Sequence, residues 1–222
     1  LIILSLPIVL IVRIIKPFKL VRFGALRSDV LGPCFFSSEY YLTYLEINNL
    51  NPIDLVFMKS NPPNKQWEIM ARRIFKINYF FRFPDYCNRM IPGGEEHHLI
   101  MSSYSKGYQR DLLGIYNKTK SHYSFTKDEN IRGNDFLKKI GLKSNDKFIC
   151  LIVRDAAYKK KFQPYLQDSK LSHRNSDIEN YKLTAINLAK KGYWVFRMGK
   201  YVEKQFNNLH KMIYDYAKSQ YR

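Results

Sequence analysis

"FICLIVRD", residues 148–155, decides the fold class, because its apolar residues fall on both faces of a strand. A strand buried on both faces is typical of a parallel sheet that is covered by helices. A helix is predicted over 175–192, where acids occupy the first turn, lysines the last turn and Gly192 the end. "YWVFRMG" (193–199) then reads as the next strand. This half of the chain therefore alternates strand, loop, helix and strand.

The first half of the chain shows the same alternation. "FKLVRFG" (18–24) and "PIDLVFMKS" (52–60) are predicted strands, and "SSEYYLTYLEINN" (37–49) is a predicted helix with its serine pair as the cap. Further helices are predicted over 64–77, 126–141 and 202–219. The pattern predicts an α/β protein with parallel sheets and a domain boundary near 143–147. Two strands cannot close a sheet, so the second domain is expected to be incomplete in this chain.

Composition indicates a folded protein with an anionic partner. Hydrophobic residues make up 45% of the 222 residues, and 37 Lys plus Arg against 19 Asp plus Glu give a formal charge of +18. Such a charge favours a phosphorylated small molecule, an acidic membrane surface or nucleic acid. The alternative explanation of this charge is a general compositional bias towards Lys, Asn and Ile. The cysteines, Cys34, Cys87 and Cys150, have no disulfide or zinc spacing.

The N-terminal stretch is apolar and is followed by basic residues. Residues 1–12 are almost wholly apolar, and Arg13, Lys16, Lys19 and Arg22 come directly after them. The run is shorter than the roughly 20 residues that span a bilayer. We therefore expect residues 1–17 to be a membrane-associated segment, with a buried core helix as the alternative. The charges after the run favour a cytoplasmic body.

Polar residues follow the two strands of the second half. Arg154 and Asp155 end the first of these strands, and Arg197, Gly199 and Lys200 end the second. Ligands bind at the carboxyl ends of strands in open parallel sheets, beside helix N-termini. The loop between the strands adds Tyr158, His173, Arg174, Asn175, Ser176 and Asp177. These residues predict a pocket for a diphosphate, although rim ion pairs and an ordinary helix start are the alternative.

Three segments carry a resemblance to a known family. "VRDAAY" (153–158), "SHRNSDIENY" (172–181) and "KKGYWVFRMGK" (190–200) resemble bacterial glycosyltransferases that are encoded with surface-polysaccharide genes. Weaker similarity covers "VRFGALRSDVLG" (21–32) and "RDLLGIYNKTKSHYSFTKDEN" (110–130). The first loop departs from the family, because it reads "SDVLGPC" where the family has a histidine. The resemblance also implies that this chain lacks the last strands of the family's second domain.

The resemblance implies a GT-B-like pair of Rossmann-like domains, an acceptor-side domain at 18–146 and the start of a nucleotide-sugar-binding domain at 147–222. The expected activity is sugar transfer to a surface glycan or a lipid-linked acceptor at the cytoplasmic face of the bacterial inner membrane. The expected diphosphate-binding residues are Arg154, Arg174, Arg197 and Lys200. The expected supporting residues are Asp155, Tyr158, His173, Asn175, Ser176, Asp177 and Gly199.

The residue that activates the acceptor is expected in the first domain, where the guesses are Asp29, Glu39, Glu95 and His97. No metal and no cofactor are expected, because arginines can neutralise the leaving diphosphate. "PGGEEHH" (92–98) does not have the i, i+4 histidine spacing of a zinc helix. The rival functions are a truncated, non-catalytic sugar-phosphate-binding fragment and a basic nucleic-acid-binding protein, for which no known motif is present.

Overall fold

The chain forms two compact units, Leu1–Lys127 and Asp128–Arg222. The computed structural model describes residues 1–104, 111–162, 172–206 and 209–220. Residues 163–171 of the predicted basic loop lie outside the described residues. Each unit contains a parallel sheet, so the predicted α/β class with parallel sheets is confirmed and is compatible with a Rossmann-like fold.

The first unit has a four-stranded parallel sheet in the order β3-β2-β1-β4. Its elements are α1 (Leu6–Ile14), β1 (Val21–Leu26), α2 (Leu31–Ile47), β2 (Ile53–Met58), α3 (Lys65–Ile74), β3 (Lys76–Ile77), α4 (Arg82–Met90), β4 (His98–Leu99) and α5 (Met101–Tyr104). β1 and β4 approach closely at Gly24, where an added Cβ would lie 2.4 Å from the carbonyl oxygen of Leu99. A residue with a side chain would push these strands apart.

Two boundaries in the first unit differ from the prediction. α2 begins at Leu31 rather than at the serine pair, because Ser38 lies inside the helix and its hydroxyl donates to the carbonyl of Cys34 at 2.6 Å. Serine hydroxyls inside helices commonly bond back to the preceding turn in this way. The helix predicted over 64–77 ends at Ile74, and the last two residues of that range form β3.

α1 packs one face on the sheet and leaves the other exposed. Val9 and Val12 are buried, and Val12 belongs to an apolar cluster with Val21 and Phe23 of β1. Arg13 fixes the helix further, because its guanidinium donates to Asn88 and to the carbonyl groups that follow α4. The exposed apolar side chains of this region are Leu1, Ile3, Leu4, Leu6, Leu10, Ile11, Ile14 and Phe18. Among the described residues, no helix has the length and apolar character that crossing a membrane requires.

The second unit has a three-stranded parallel sheet in the order β5-β6-β7. Its elements are α6 (Lys127–Lys139), which starts at the division, β5 (Phe148–Leu151), α7 (Ala157–Phe162), α8 (Lys182–Lys190), β6 (Trp194–Arg197) and β7 (Ile213–Asp215). Phe136 and Leu137 of α6 pack against the buried cluster of Trp194 and Phe196. α6 therefore belongs with the second sheet, and the division falls earlier than residues 143–147.

The helix predicted over 202–219 is wrong. The described part of this range contains β7 and a short 3-10 turn at Tyr216–Lys218 instead. β7 pairs with β6 from Val195↔Ile213 to Arg197↔Asp215. The side chain of Asp215 also accepts the backbone N–H of Phe206 at 2.9 Å. Pairing with a neighbouring strand is a tertiary effect that outweighs local helix propensity.

Candidate functional site

A cavity of about 700 Å³ lies at the carboxyl edge of the first sheet. Its walls are residues of β4, the carboxyl ends of β1 and β2, the residues that follow these three strands, the first two turns of α2 and part of α4. This is the edge at which open parallel sheets bind ligands. The volume is within the range of about 300–1,000 Å³ that is typical of small-molecule sites. We call it the carboxyl-edge cavity.

A histidine and an aspartate form a hydrogen-bonded pair in this cavity. Nδ1 of His98 lies 2.7 Å from Oδ1 of Asp85, whose side chain is only 2% exposed. Arg89 holds the other carboxylate oxygen at 3.2 Å. Nε2 of His98 has no hydrogen bond in the described part of the chain, and the side chain is 24% exposed. A carboxylate on Nδ1 favours the tautomer that leaves Nε2 free to accept a proton.

Other ionisable groups of the cavity are less suited to accept a proton. Asp29 bonds Arg27 at 2.9 Å. Its partial burial opposes ionisation, but the Arg27 bond and backbone N–H groups outweigh this and hold the pKa of Asp29 below its ordinary value. Burial, with the Asp29 charge as a smaller cause, raises the pKa of the Cys34 thiol to about 11. At neutral pH Cys34 is therefore protonated and a weak nucleophile.

The other guesses for the base do not lie in this cavity. His97 is 2% exposed, and its Nδ1 lies 2.6 Å from the carbonyl oxygen of Val21, at the amino edge of the sheet. Glu95 is exposed on the 3-10 turn that precedes β4. Glu39 lies in α2 and bonds His122 instead. The histidine next in sequence to the predicted one, His98, is the one that reaches the carboxyl edge.

The second unit has a smaller cavity, of about 340 Å³, after β5. It unites the predicted residues Asp155, Asn175, Ser176 and Asp177 with Glu203 and Lys204, which the sequence did not indicate. We call it the β5-edge cavity. Three of these six polar residues are carboxylates, so the walls are better suited to accept hydrogen bonds from hydroxyl groups than to bind a diphosphate.

Two residues define what the β5-edge cavity can bind. Asp155 joins its walls, because it accepts the backbone N–H of Ala157 at 3.0 Å and that of Glu203 at 2.9 Å. Oδ1 of Asn175 is buried without a hydrogen-bond partner in the described part of the chain. Buried polar atoms are normally paired, so Asn175 is a candidate for direct contact with a ligand. Lys204 bonds Asp177, and this bond is the largest cause that lowers the pKa of Asp177.

Arg197 has a structural position rather than the predicted ligand-binding one. Its side chain is fully buried, between Asp215 at 3.4 Å and Asp155 at 3.7 Å. A guanidinium that is enclosed by two carboxylates cannot approach a diphosphate without unpacking the strand ends. We therefore correct this prediction, and Arg197 is not part of the proposed site.

The remaining predicted cations lie outside the walls of the β5-edge cavity. Arg154 is half-buried beside it, and its carbonyl accepts the N–H of Ser176 at 2.8 Å. Its guanidinium has no hydrogen bond or ion pair in the described part of the chain. Arg174 and Lys200 are exposed. Of the predicted cations, Arg154 is therefore the one best placed to contact a ligand at this cavity.

The other predicted supporting residues have these positions. His173 is exposed beside Arg174. The ring of Tyr158 packs on Phe162, with 4.9 Å between centroids. Gly199 has a φ of +142°, and an added Cβ would lie 2.9 Å from the side chain of Val202. Gly199 therefore has a backbone role. Among the described residues, no group of three or more possible ligands could hold a metal ion.

Sequence reasoning missed His98 and its partner Asp85. The adjacent histidines were visible, but a strand of only two residues, β4, decides which of them faces the cavity. Asp85 lies in an aromatic stretch whose helical structure was not predicted.

Searches of protein-family models, of curated proteins and of solved structures found no match to this chain.

Proposed function

We propose that the protein is a glycosyltransferase of the GT-B type, which moves a sugar from a nucleotide-sugar donor to a surface-glycan or lipid-linked acceptor. The observation that carries the proposal is the His98–Asp85 pair in the carboxyl-edge cavity, with 2.7 Å between the bonded atoms. A histidine oriented by a carboxylate is a common general base for deprotonating a hydroxyl group. The polar β5-edge cavity in the second unit supports a separate place for the donor.

In the proposed reaction, Nε2 of His98 accepts the proton of an acceptor hydroxyl. The hydroxyl oxygen then forms a bond to the anomeric carbon of the donor. The bond between that carbon and the diphosphate oxygen breaks, and the nucleoside diphosphate leaves with the electron pair. Asp85 stabilises the imidazolium that results, because its buried carboxylate lies against Nδ1.

The second unit binds the donor in this proposal. Arg154 bonds the diphosphate, and the exposed Arg174 and Lys200 add positive charge around it. Asn175 and the carboxylates of the β5-edge cavity accept hydrogen bonds from sugar or ribose hydroxyls. The leaving group is neutralised by side chains of the chain itself.

Substitution of Arg154 tests donor binding. We expect UDP, GDP or another nucleoside diphosphate to raise the melting temperature of the full chain, because binding to the native state stabilises it. Arg154→Ala should weaken this ligand about tenfold or more, since it removes a charge-assisted hydrogen bond of about 1.5–3 kcal/mol. Arg154→Lys should restore only part, because an ammonium group lacks the planar fork. Affinities are measured by calorimetry.

Arg132, exposed on α6, provides the matched control, and Arg132→Ala should bind the nucleotide as the wild type does. Unchanged affinity in Arg154→Ala would contradict the assignment of Arg154. If a random oligonucleotide stabilised the protein as well as a nucleoside diphosphate, with a steep dependence on salt, nucleic-acid binding would replace the proposal.

We also propose that the exposed face of the N-terminal region binds an anionic membrane surface at the cytoplasmic side. Ile3 is 83% exposed, Ile14 73% and Phe18 90%. Large apolar side chains with this exposure, next to Lys16 and Lys19, are typical of interfacial segments that insert into the headgroup region.

Co-sedimentation with vesicles tests the membrane surface. The full chain should bind vesicles that contain phosphatidylglycerol, and Phe18→Ser should weaken binding about tenfold, because burying a phenylalanine contributes about 1.5–3 kcal/mol. Leu183→Ser, at a residue 70% exposed on α8 of the second unit, is the control and should bind normally. Equal binding by all three proteins would exclude the N-terminal face as the contact.

A further inference from the structure

Another cavity of the first unit, of about 440 Å³, lies beside α2 and shares no lining residue with the carboxyl-edge cavity. Its walls include Glu39 and the aromatic rings of Phe35, Phe36, Tyr116, Tyr123 and Phe125. We call it the aromatic cavity. Its volume suits a small molecule. The proposed glycosyl transfer does not use it.

Hydrogen bonds and ring contacts fix the aromatic walls. The hydroxyl of Tyr116 donates to the carbonyl of Phe36 at 2.9 Å, and that of Tyr123 donates to Oγ of Ser38 at 2.6 Å. The Phe36–Tyr116 and Phe35–Tyr123 ring pairs are in edge contact, with centroids 5.1 and 5.5 Å apart. Walls that are held in this way are preorganised, so a ligand would lose little free energy in ordering them.

The polar group of the aromatic cavity is the carboxylate of Glu39. Its side chain is 13% exposed, and its Oε1 accepts the backbone N–H of His122 at 3.0 Å and lies 3.1 Å from Nδ1. Its Oε2 is buried and has no hydrogen-bond partner in the described part of the chain. A buried carboxylate oxygen without a donor is unfavourable, so a hydrogen-bond donor from outside the chain would stabilise this side chain.

The cluster around this carboxylate has a net negative charge. Nε2 of His122 lies 3.0 Å from Oε2 of Glu46, so one imidazole lies between two carboxylates. Even with the imidazole protonated, one negative charge remains. The Glu39 charge is also felt at the aromatic walls, because after burial it is the next cause that raises the pKa of Tyr116.

The walls distinguish between classes of ligand. An anion would be repelled by Glu39, and a neutral apolar molecule would leave Oε2 without a donor. A divalent metal ion requires about six oxygen ligands, which aromatic walls cannot supply. An organic ammonium ion suits both the carboxylate of Glu39 and the aromatic walls. Its N–H or polarised C–H groups contact the carboxylate, and its positive charge lies on the aromatic faces.

We propose that the aromatic cavity is a binding site for a small organic ammonium ion, with the charged nitrogen at Oε2 of Glu39 and the body of the ligand against the aromatic rings. The net charge of +18 disfavours a cation at long range. That effect is screened beyond about 8–10 Å in physiological salt. The contact with Glu39 acts within the cavity, where low polarity strengthens it.

Binding of choline to the full chain tests this site, with 3,3-dimethyl-1-butanol as the uncharged molecule of the same shape. We expect saturable choline binding by calorimetry, about tenfold or more tighter than that of the alcohol, because a desolvated cation–π contact contributes about 2 kcal/mol. Glu39→Gln should reduce choline affinity severalfold and leave that of the alcohol unchanged, because it removes the negative charge at the cation while the aromatic rings remain. Glu95→Gln is the matched control, since Glu95 is exposed on the turn before β4 and outside the walls, and it should bind choline as the wild type does.

A second variant keeps the test decisive if Glu39→Gln lowers the melting temperature. Phe125 is 57% exposed and lines the cavity, so Phe125→Ala should weaken choline severalfold without a loss of stability. The proposal is overturned if choline and the alcohol bind equally well. It is also overturned if neither choline, benzylamine nor tetramethylammonium gives saturable binding at millimolar concentration.

Discussion

His98→Ala is expected to lower turnover of a bound nucleotide sugar by about 10²–10⁴-fold, which is the usual contribution of a general base. The fold should remain intact, because the His98 ring is part of a cavity wall and its one polar contact in the described part of the chain is Asp85. The measurement is release of nucleoside diphosphate from a panel of nucleotide sugars, with melting temperature recorded in parallel. The affinity for the donor should not change, since the proposed donor site lies in the second unit.

If His98 only positioned another group, added imidazole would not restore the turnover that His98→Ala loses. The space left by His98→Ala opens into a cavity of about 700 Å³, so added imidazole should enter and restore part of the turnover. Asp85→Asn should reduce turnover less than His98→Ala, because the ring remains but loses its charged partner. His210→Gln, in the second unit, serves as the histidine control and should keep full turnover. Full activity of His98→Ala would remove the observation on which the proposed function rests.

The adjacent histidines show where sequence reasoning ends. Both were visible, and only one was chosen as a guess. Because His97 ends a 3-10 turn and His98 begins β4, a strand of only two residues, the sequence pattern is too short to predict which ring faces the cavity. His97 turns to the carbonyl of Val21, and His98 turns to Asp85. The hydrogen bond between His98 and Asp85 depends on the packing of α4 beside β4, which no local sequence pattern predicts.

The strands of the first half could be predicted because long apolar runs decide them. β2 lies within its predicted range, and β1 begins three residues later and ends two residues later than predicted. β7 could not be predicted in the same way, since three residues gain their structure from pairing with β6. Arg197 was mistaken for a ligand-binding residue for the same reason, because its buried partner Asp215 belongs to β7.

A buried ion pair within β1 and β2 was also hidden in the sequence. Arg22 and Asp54 are directly opposite each other on the two strands, and their side chains are 8% and 9% exposed. Nε of Arg22 lies 2.9 Å from Oδ1 of Asp54. The hydroxyl of Tyr41 donates to Asp54, and Arg22 donates to the hydroxyl of Tyr104 at 2.8 Å. Burial, followed by the charge of Asp54, raises the pKa of Tyr41 well above its ordinary value.

Asp54→Ala is expected to lower the free energy of unfolding of the first unit by about 3–5 kcal/mol, because removing one partner leaves an uncompensated buried charge. The measurement is urea unfolding followed by tryptophan fluorescence in a Trp194→Phe background. In that background the signal comes from Trp67, which is buried in the first unit. A fall of this size exceeds the effect of most single substitutions.

The exposed ion pair of Lys16 and Glu96 provides the control, since these side chains are 46% and 64% exposed. Glu96→Ala should unfold at the same urea concentration as the wild type, because exposed ion pairs contribute little.

Replacing both buried partners, with Arg22→Met and Asp54→Leu, should recover part of the stability that Asp54→Ala loses, because no buried charge remains. The recovery is partial, since the hydroxyls of Tyr41 and Tyr104 lose their partners. A loss of under about 1 kcal/mol in Asp54→Ala would mean that water reaches Arg22 and that the centre of the first sheet is less enclosed than its packing indicates.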